Sequence, residues 1–123
     1  MEKLSMILIV VGLIGFGSLG HSQGTAYKAR ISVELEGRQA TIKPLCYATE
    51  DAVVEYKIWV KKSGKSGKAT SYQSGTLQLL GGEEKYLSQT GLTISPGDEC
   101  EIKLEVYRDG KRIAEDQISC PNL

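Results

Sequence analysis

The stretch Cys100-Glu101-Ile102-Lys103-Leu104-Glu105-Val106-Tyr107 alternates apolar and polar residues without a break. This period of two is typical of a β-strand with one buried and one solvated face. The next four residues, Arg108-Asp109-Gly110-Lys111, are a hairpin-turn signal because glycine tolerates a positive φ angle. The segment from Arg112 to Cys120 is therefore predicted to be the second strand of a β-hairpin.

Similar segments recur along the rest of the chain. Lys28 to Glu36 predicts a half-buried strand, and Ala40 to Cys46 predicts a second one, in which Pro44 indicates an edge or a bulge. Val53 to Lys61 is the most β-prone segment and predicts a central strand. Ser63 to Lys68 is interpreted as a flexible polar connection, Ala69 to Leu80 as one or two shorter strands, and Lys85 to Leu92 as another strand.

About seven short strands separated by Gly, Pro and Asp turns indicate an all-β fold. The spacing favours an immunoglobulin-like antiparallel two-sheet β-sandwich, and a small closed barrel is the alternative. No segment has a convincing helical period. Neither fold by itself dictates a function.

The first residues have the features of a secretory signal peptide. Met1-Glu2-Lys3 precedes an apolar run from Leu4 to Leu19, and small residues follow it. We predict a signal peptide over residues 1–22 with cleavage after Ser22, although Ser18 and Gly20 would also serve. An uncleaved membrane anchor is the alternative, but the run is glycine-rich and short for a span of about 20 residues. Residues 23–123 are then expected to form one secreted domain that is not attached to the membrane.

Charge and histidine content exclude several function classes. The chain has 15 Lys+Arg and 15 Asp+Glu, so no overall field attracts nucleic acid. Its one histidine, His21, lies in the predicted signal peptide, which excludes Ser-His-Asp and Cys-His catalysis in the mature protein. The carboxylate pairs Glu50-Asp51, Glu83-Glu84 and Asp98-Glu99 flank turns and are interpreted as solvated charges. We predict no catalytic residues, no metal site and no cofactor.

Three cysteines remain after removal of the signal peptide, which favours one disulfide and one free thiol in an oxidising compartment. In a seven-strand sandwich, Cys100 and Cys120 lie at the same end of adjacent antiparallel strands, whereas Cys46 lies toward the opposite end. We therefore predict a Cys100–Cys120 disulfide and a buried structural thiol at Cys46. A Cys46–Cys100 bridge, as in antibody domains, would overturn this prediction.

Basic and acidic residues are concentrated in different segments. Five lysines fall within twelve residues that contain no acid, and Lys57 and Lys61 share strand parity with Trp59. Acidic residues crowd the last predicted hairpin and the turn before it. A face with two ammonium groups beside an indole would suit a polar or acidic polypeptide. The alternative is that these lysines only keep the sheet soluble and block edge-to-edge pairing.

Three ordered blocks resemble the curli assembly chaperones of the CsgC/CsgH type. They are Ser63-Gly64-Lys65-Ser66-Gly67-Lys68, Gln73-Ser74-Gly75-Thr76-Leu77 and Leu92-Thr93-Ile94-Ser95-Pro96-Gly97-Asp98. The resemblance extends back to Thr41-Ile42-Lys43-Pro44 and implies a small periplasmic sandwich that keeps curli subunits from forming amyloid. Some members carry a Cys-x-Cys pair that is proposed to be redox-active. This chain has Ala52-Val53-Val54 at the matching positions, so a redox role is not expected here.

The resemblance implies a non-enzymatic protein whose partner is a curli-type amyloid subunit. Transient contact with a charged β-surface can interrupt the meeting of strand edges that nucleates amyloid. The predicted contact residues are Lys57, Trp59, Lys61, Lys62, Lys65 and Lys68, together with Tyr72 and Gln73. We expect a monomer, and the alternative function is a secreted adhesion or interaction module that binds a protein or a glycan.

Overall fold

The computed structural model describes residues 25–65 and 67–120, and strands account for most of them. No helix in these ranges is long and apolar enough to cross a membrane. The predicted signal peptide lies outside the described residues. The eight described strands are β1 (Tyr27–Glu36), β2 (Gln39–Ala48), β3 (Ala52–Gly64), β4 (Gly67–Leu79), β5 (Glu84–Tyr86), β6 (Thr90–Thr93), β7 (Glu99–Arg108) and β8 (Lys111–Cys120).

The strands form two four-stranded antiparallel sheets, as the sequence predicts, and not a closed barrel. In the first sheet β2 pairs with β1 on one side and with β5 and β6 on the other. The second sheet has the order β4-β3-β7-β8. The central position predicted for Val53 to Lys61 is therefore confirmed, because β3 pairs with both β4 and β7.

The core lies between the two sheets and follows the alternation in the sequence. The largest fully buried apolar side chains come from both sheets and include Ile42, Val54, Ile58, Leu79, Ile102, Leu104 and Val106. On β7 the apolar residues of the opening stretch all point inward, and their polar neighbours point away from the core. This burial supplies the main stabilisation of the sandwich.

The segment from Ser63 to Lys68 is not the polar connection that we predicted. Strand β3 continues to Gly64, β4 begins at Gly67, and these two glycines pair across a two-residue turn. Gly67 has a φ of 118°, which a side chain would rarely allow. The prediction of one or two short strands after Ala69 is also corrected, since β4 is one strand of 13 residues.

The segment from Lys85 to Leu92 forms two short strands, and Pro44 explains the break. Pro44 lies within β2, so the expected edge or bulge at this residue is wrong. Its carbonyl accepts a hydrogen bond from the Leu87 N–H at 2.8 Å, but proline has no N–H to return. The ladder beside β2 is therefore interrupted between β5 and β6.

The cysteines occupy opposite ends of the sandwich. Cys100 and Cys120 are direct cross-strand partners on β7 and β8 and are joined by a disulfide. Cys46, near the C-terminal end of β2, is a free and fully buried thiol. Burial raises its pKa to about 11.

Candidate functional site

Strand β3 presents three of the predicted contact residues on one side of its sheet. Ile58 and Val60 are buried, so Lys57, Trp59 and Lys61 project to the opposite, solvent side. We call this side the outer face. It comprises Lys57, Trp59 and Lys61 of β3, Lys68, Thr70, Tyr72 and Ser74 of β4, Glu101, Lys103, Glu105 and Tyr107 of β7, and Arg112, Glu115 and Gln117 of β8.

An aromatic pair lies at the centre of the outer face. Trp59 is directly opposite Tyr72 on β4, and their ring centroids are 5.3 Å apart at an angle of 43°. On the other side of Trp59, the Lys103 ammonium lies 5.7 Å from the centroid of the indole ring. Tyr72 keeps 52% of its surface exposed. The pair therefore offers an accessible apolar platform with a cation beside it.

A shielded carboxylate occupies the next row of the outer face. Glu105 is only 6% exposed, because the neighbouring long side chains cover it. Its Oε1 accepts a hydrogen bond from the Tyr107 hydroxyl at 2.6 Å, and its Oε2 lies 3.2 Å from Arg112 Nη1 and 3.4 Å from Lys103 Nζ. The Tyr107 hydrogen bond, together with both cations, lowers the pKa of Glu105. Lys57 Nζ covers the Tyr107 ring at 4.9 Å.

The end of the outer face next to the β3–β4 turn has mixed charge. Lys61 pairs in register with Glu101, whose carboxylate accepts a hydrogen bond from the Gln117 amide at 2.6 Å. Lys61 and Lys68 line a shallow open cleft of about 470 Å³ that also contains Thr70, Glu99 and Glu101. Within the described residues, neither lysine ammonium has a carboxylate within ion-pair distance. In the part of the chain that the structure describes, these two ammonium groups therefore have no ion-pair partner.

Lys62 lines the same cleft as Lys61 and Lys68, but its side chain does not join theirs on the outer face. Lys62 alternates with Lys61 and points to the other side of the sheet, where its ammonium donates to the Thr93 carbonyl at 2.7 Å. The same ammonium lies 3.8 Å from Asp98 Oδ2, and only 16% of the lysine side chain is exposed. Asp98 is itself buried and accepts the Ser95 N–H at 2.8 Å, so its interpretation as a solvated turn charge is wrong.

Two other predicted residues also lie off the outer face. Gln73 lies on the inward side of β4 and donates from Nε2 to Thr90 Oγ1 at 3.2 Å, which links β4 to β6. Lys65 is exposed in the turn between β3 and β4. The outer face thus collects Lys57, Trp59, Lys61, Lys68 and Tyr72 from the predicted set.

The sequence prediction missed the side chains that β7 and β8 add to this face. Lys103, Tyr107 and Arg112 surround Glu105, although acidic residues predominate in the sequence of this hairpin. The signal was present, because Lys103 and Tyr107 occupy the polar positions of the alternation in β7. What the sequence could not supply is the cross-strand register that places them beside Lys57 and Trp59.

The described residues do not show the features of a metal centre. No three of their His, Cys, Asp or Glu side chains are grouped so that they could hold an ion. The geometry defines a small β-sandwich with an open polar and aromatic surface on one sheet.

A sequence model of the thin aggregative fimbriae synthesis protein family, Tafi-CsgC, matches residues 21–118. The chain therefore belongs to this family of curli proteins, which confirms the resemblance found in the sequence. No curated protein sequence matches the chain.

Solved structures share the fold. The E. coli curli protein CsgC superposes with a TM-score of 0.69 and 24% identity, over 75% of this chain and 97% of that chain. The solution structure of R. palustris CsgH gives a TM-score of 0.59 and 18% identity, over 76% and 89% of the two chains. A putative β-galactosidase from Bacteroides fragilis matches with a TM-score of 0.51 and 14% identity, over 74% of this chain but only 15% of that chain. At these identities the similarity establishes the sandwich fold.

Proposed function

We propose that this protein is a periplasmic chaperone that inhibits premature amyloid polymerisation of curli subunits. It acts without catalysis, through transient contacts guided by charge. Membership of the curli synthesis family supports the biological context. The predicted signal peptide supports the compartment.

The observation that carries the proposal is the arrangement of Trp59 and Tyr72 beside Lys61 and Lys68. Two aromatic rings form an accessible platform, and two ammonium groups within the described surface have no ion-pair partner there. Amides and aromatic rings of an unfolded chain can pack on such a platform, while the cations attract its carboxylates. The cleft is open, so it does not enclose a bound segment.

Weak and short-lived binding is sufficient for an inhibitor of nucleation. Amyloid growth begins when low-charge, β-prone segments of several chains align. A chaperone that delays this rare encounter can act well below an equimolar ratio, whereas an adhesion module must occupy its ligand stoichiometrically. Dose dependence therefore distinguishes the proposed function from the alternative interaction module.

The test follows fibril formation by a purified curli subunit with an amyloid dye, in the presence of increasing amounts of this protein. We expect a longer lag phase at ratios far below equimolar. The Lys61→Glu/Lys68→Glu variant should lose most of this effect, because it reverses two charges on the outer face. The Lys85→Glu/Lys111→Glu variant is the matched control, since it makes the same change in net charge at two exposed lysines elsewhere.

Salt provides a second readout. Exposed charges are screened beyond about 8 Å at physiological ionic strength, so the delay should shorten as salt is added. If the wild-type protein leaves the lag phase unchanged even at equimolar concentration, the chaperone function is wrong. If both charge-reversed variants inhibit as well as the wild type, the binding surface lies elsewhere.

A further inference from the structure

We propose that β4 is an open sheet edge that accepts an extended, uncharged polar segment of the client as an additional β-strand. This inference rests on the proposed chaperone function and specifies how the client is held. Exposed edges are normally protected by charges, bulges, short length or a covering element, because an unprotected edge pairs with other chains. The described edges of the two sheets differ sharply in this protection.

The side of the sandwich where β1 faces β8 is closed by a side chain. The Ile31 N–H points away from β2 and donates to Asp116 Oδ2 on β8 at 2.8 Å. An added strand would have to displace this carboxylate from the backbone of β1. Both strands also carry several charges, including Arg30 and Glu34 on β1 and Arg112 and Glu115 on β8. These features disfavour strand addition at this side.

The edge formed by β5 and β6 is short. β5 has three residues and β6 has four, and the ladder between them is interrupted at Pro44. A segment that paired here would gain few consecutive hydrogen bonds. Short and interrupted edges are a common way of preventing strand addition.

Among the described residues, strand β4 is not shortened, bulged or covered, and it carries a single charge. It is 13 residues long and pairs with β3 alone in the described residues. Its register with β3 is continuous, without the bulge that interrupts the pairing of β7 with β8. Lys68 is its only charged residue. A straight, long and nearly uncharged edge is the type that accepts another strand.

The register identifies the backbone groups that are available. Gly64 and Gly67 flank a two-residue turn, so their backbone groups hydrogen-bond to each other. Since hydrogen-bonding direction alternates along an antiparallel strand, the N–H groups of the even-numbered residues from Lys68 to Gln78 point away from β3. Thr70, Tyr72, Ser74 and Thr76 therefore offer donors and acceptors to a new strand.

The residues around these groups define the chemistry of the occupant. Between Ala69 and Leu79 the strand contains no ionisable side chain except the tyrosine. A charged segment added here would be partly desolvated without an opposite charge on β4 to compensate it. An uncharged segment rich in Gln and Thr loses little, and low net charge is also a feature of segments that form cross-β structure. The added strand would also lie beside Tyr72, which belongs to the aromatic platform of the outer face.

The experiment compares two double variants in the curli-subunit fibril assay. Ser74→Pro/Thr76→Pro removes two outward N–H groups without removing a hydrogen bond to β3, and proline is tolerated at such edge positions. Ser74→Ala/Thr76→Ala is the matched control, because it shortens the same side chains and keeps both N–H groups. At about 1 kcal/mol for each of the two hydrogen bonds, the proline variant should need about thirtyfold more protein for the same delay, and the alanine variant should act like the wild type.

Hydrogen exchange on the wild-type protein tests the same point without a variant. With a monomeric curli subunit present, the amides of Thr70, Tyr72, Ser74 and Thr76 should exchange more slowly than in the protein alone. Unchanged exchange, or equal inhibition by the proline and alanine variants, would overturn strand addition. Slow exchange in the absence of the subunit, with a concentration-dependent dimer, would also overturn it, because the edge would then be occupied by a second copy. A different result would overturn the proposed function itself: the wild-type protein would not delay fibril formation.

Discussion

Tyr107 donates its hydroxyl hydrogen to Glu105 Oε1 over 2.6 Å, and the two residues lie two positions apart on β7, both on the outer face. This hydrogen bond is the main reason that the pKa of Glu105 is lowered, and it raises the pKa of Tyr107 in return. The tyrosine ring is also covered by Lys57 at 4.9 Å. The ionised form of Glu105 therefore holds together the polar side of the outer face.

The pH dependence of stability follows from this arrangement. The pKa of Glu105 is lower in the folded protein than its ordinary value of 4.5. Ionised Glu105 therefore stabilises the fold at any pH above 4.5, and this contribution is lost as the pH falls through the folded-state pKa. Glu105→Gln cannot titrate, so the variant should be less stable at neutral pH, by about 1 kcal/mol, and should approach the wild type in acid. Urea unfolding at neutral pH and at acidic pH measures both effects.

Tyr107→Phe provides a matched comparison for this prediction. It removes the hydroxyl donor but keeps the ring beneath Lys57, so part of the acid-dependent stability should remain through Lys103 and Arg112. A constant stability difference between wild type and Glu105→Gln across the acid range would show that the carboxylate is not stabilised by its neighbours.

Gly64 is predicted to be intolerant of any side chain. A Cβ at this position would lie 1.9 Å from Asp98 Oδ1, and Asp98 is held by the Ser95 N–H and approached by Lys62. Gly64→Ala must displace this buried carboxylate, and we expect a loss of about 1–3 kcal/mol in unfolding free energy. Thermal or urea unfolding measures the loss.

Gly91→Ala is the control for the glycine prediction. Gly91 also lies in a strand, but a Cβ there would meet no atom within 4 Å. Alanine should leave stability unchanged or raise it by about 0.5 kcal/mol, because it restricts the unfolded chain. Equal losses at the two positions would mean that the contact with Asp98 is not the cause.

The Cys100–Cys120 disulfide should contribute to stability and not to binding. It closes a sequence separation of 20 residues, and chain-entropy reasoning gives about 3 kcal/mol for a loop of this size. The Cys100→Ser/Cys120→Ser variant should unfold at a lower urea concentration. It should still inhibit fibril formation in conditions where it is folded. Peptide mapping of the oxidised protein should find this bridge, and a Cys46 bridge would contradict the assignment.

Strand prediction succeeded where burial imposes a period of two. The alternation on β3 and β7 is strict because both strands are central and pack one side against the core. The alternation is weaker on β4. This strand is at the edge of its sheet, where exposure to solvent does not require alternating apolar residues. Packing explains the glycine at position 75 of this strand, because a Cβ there would lie 2.7 Å from the Tyr56 hydroxyl.

The site was only partly predictable for a related reason. Parity along one strand placed Lys57, Trp59 and Lys61 together, but the same parity already put Lys62 on the other side of the sheet. The burial of Glu105 and Asp98 could not be read from their local sequence. It depends on partners such as Arg112 and Gly64, which only the cross-strand register and the turn geometry bring close.

Cys46 should be the only reactive thiol of the oxidised protein, and only after unfolding. The side chain is fully buried, and its pKa is raised to about 11 because burial disfavours the thiolate. Since alkylation requires the thiolate and access of the reagent, native protein at neutral pH should resist iodoacetamide. Mass spectrometry should find no added group in native protein and one per chain in urea, with a small thiol compound as the kinetic control. Equally rapid labelling of native and unfolded protein would show that Cys46 is accessible and would contradict a purely structural role.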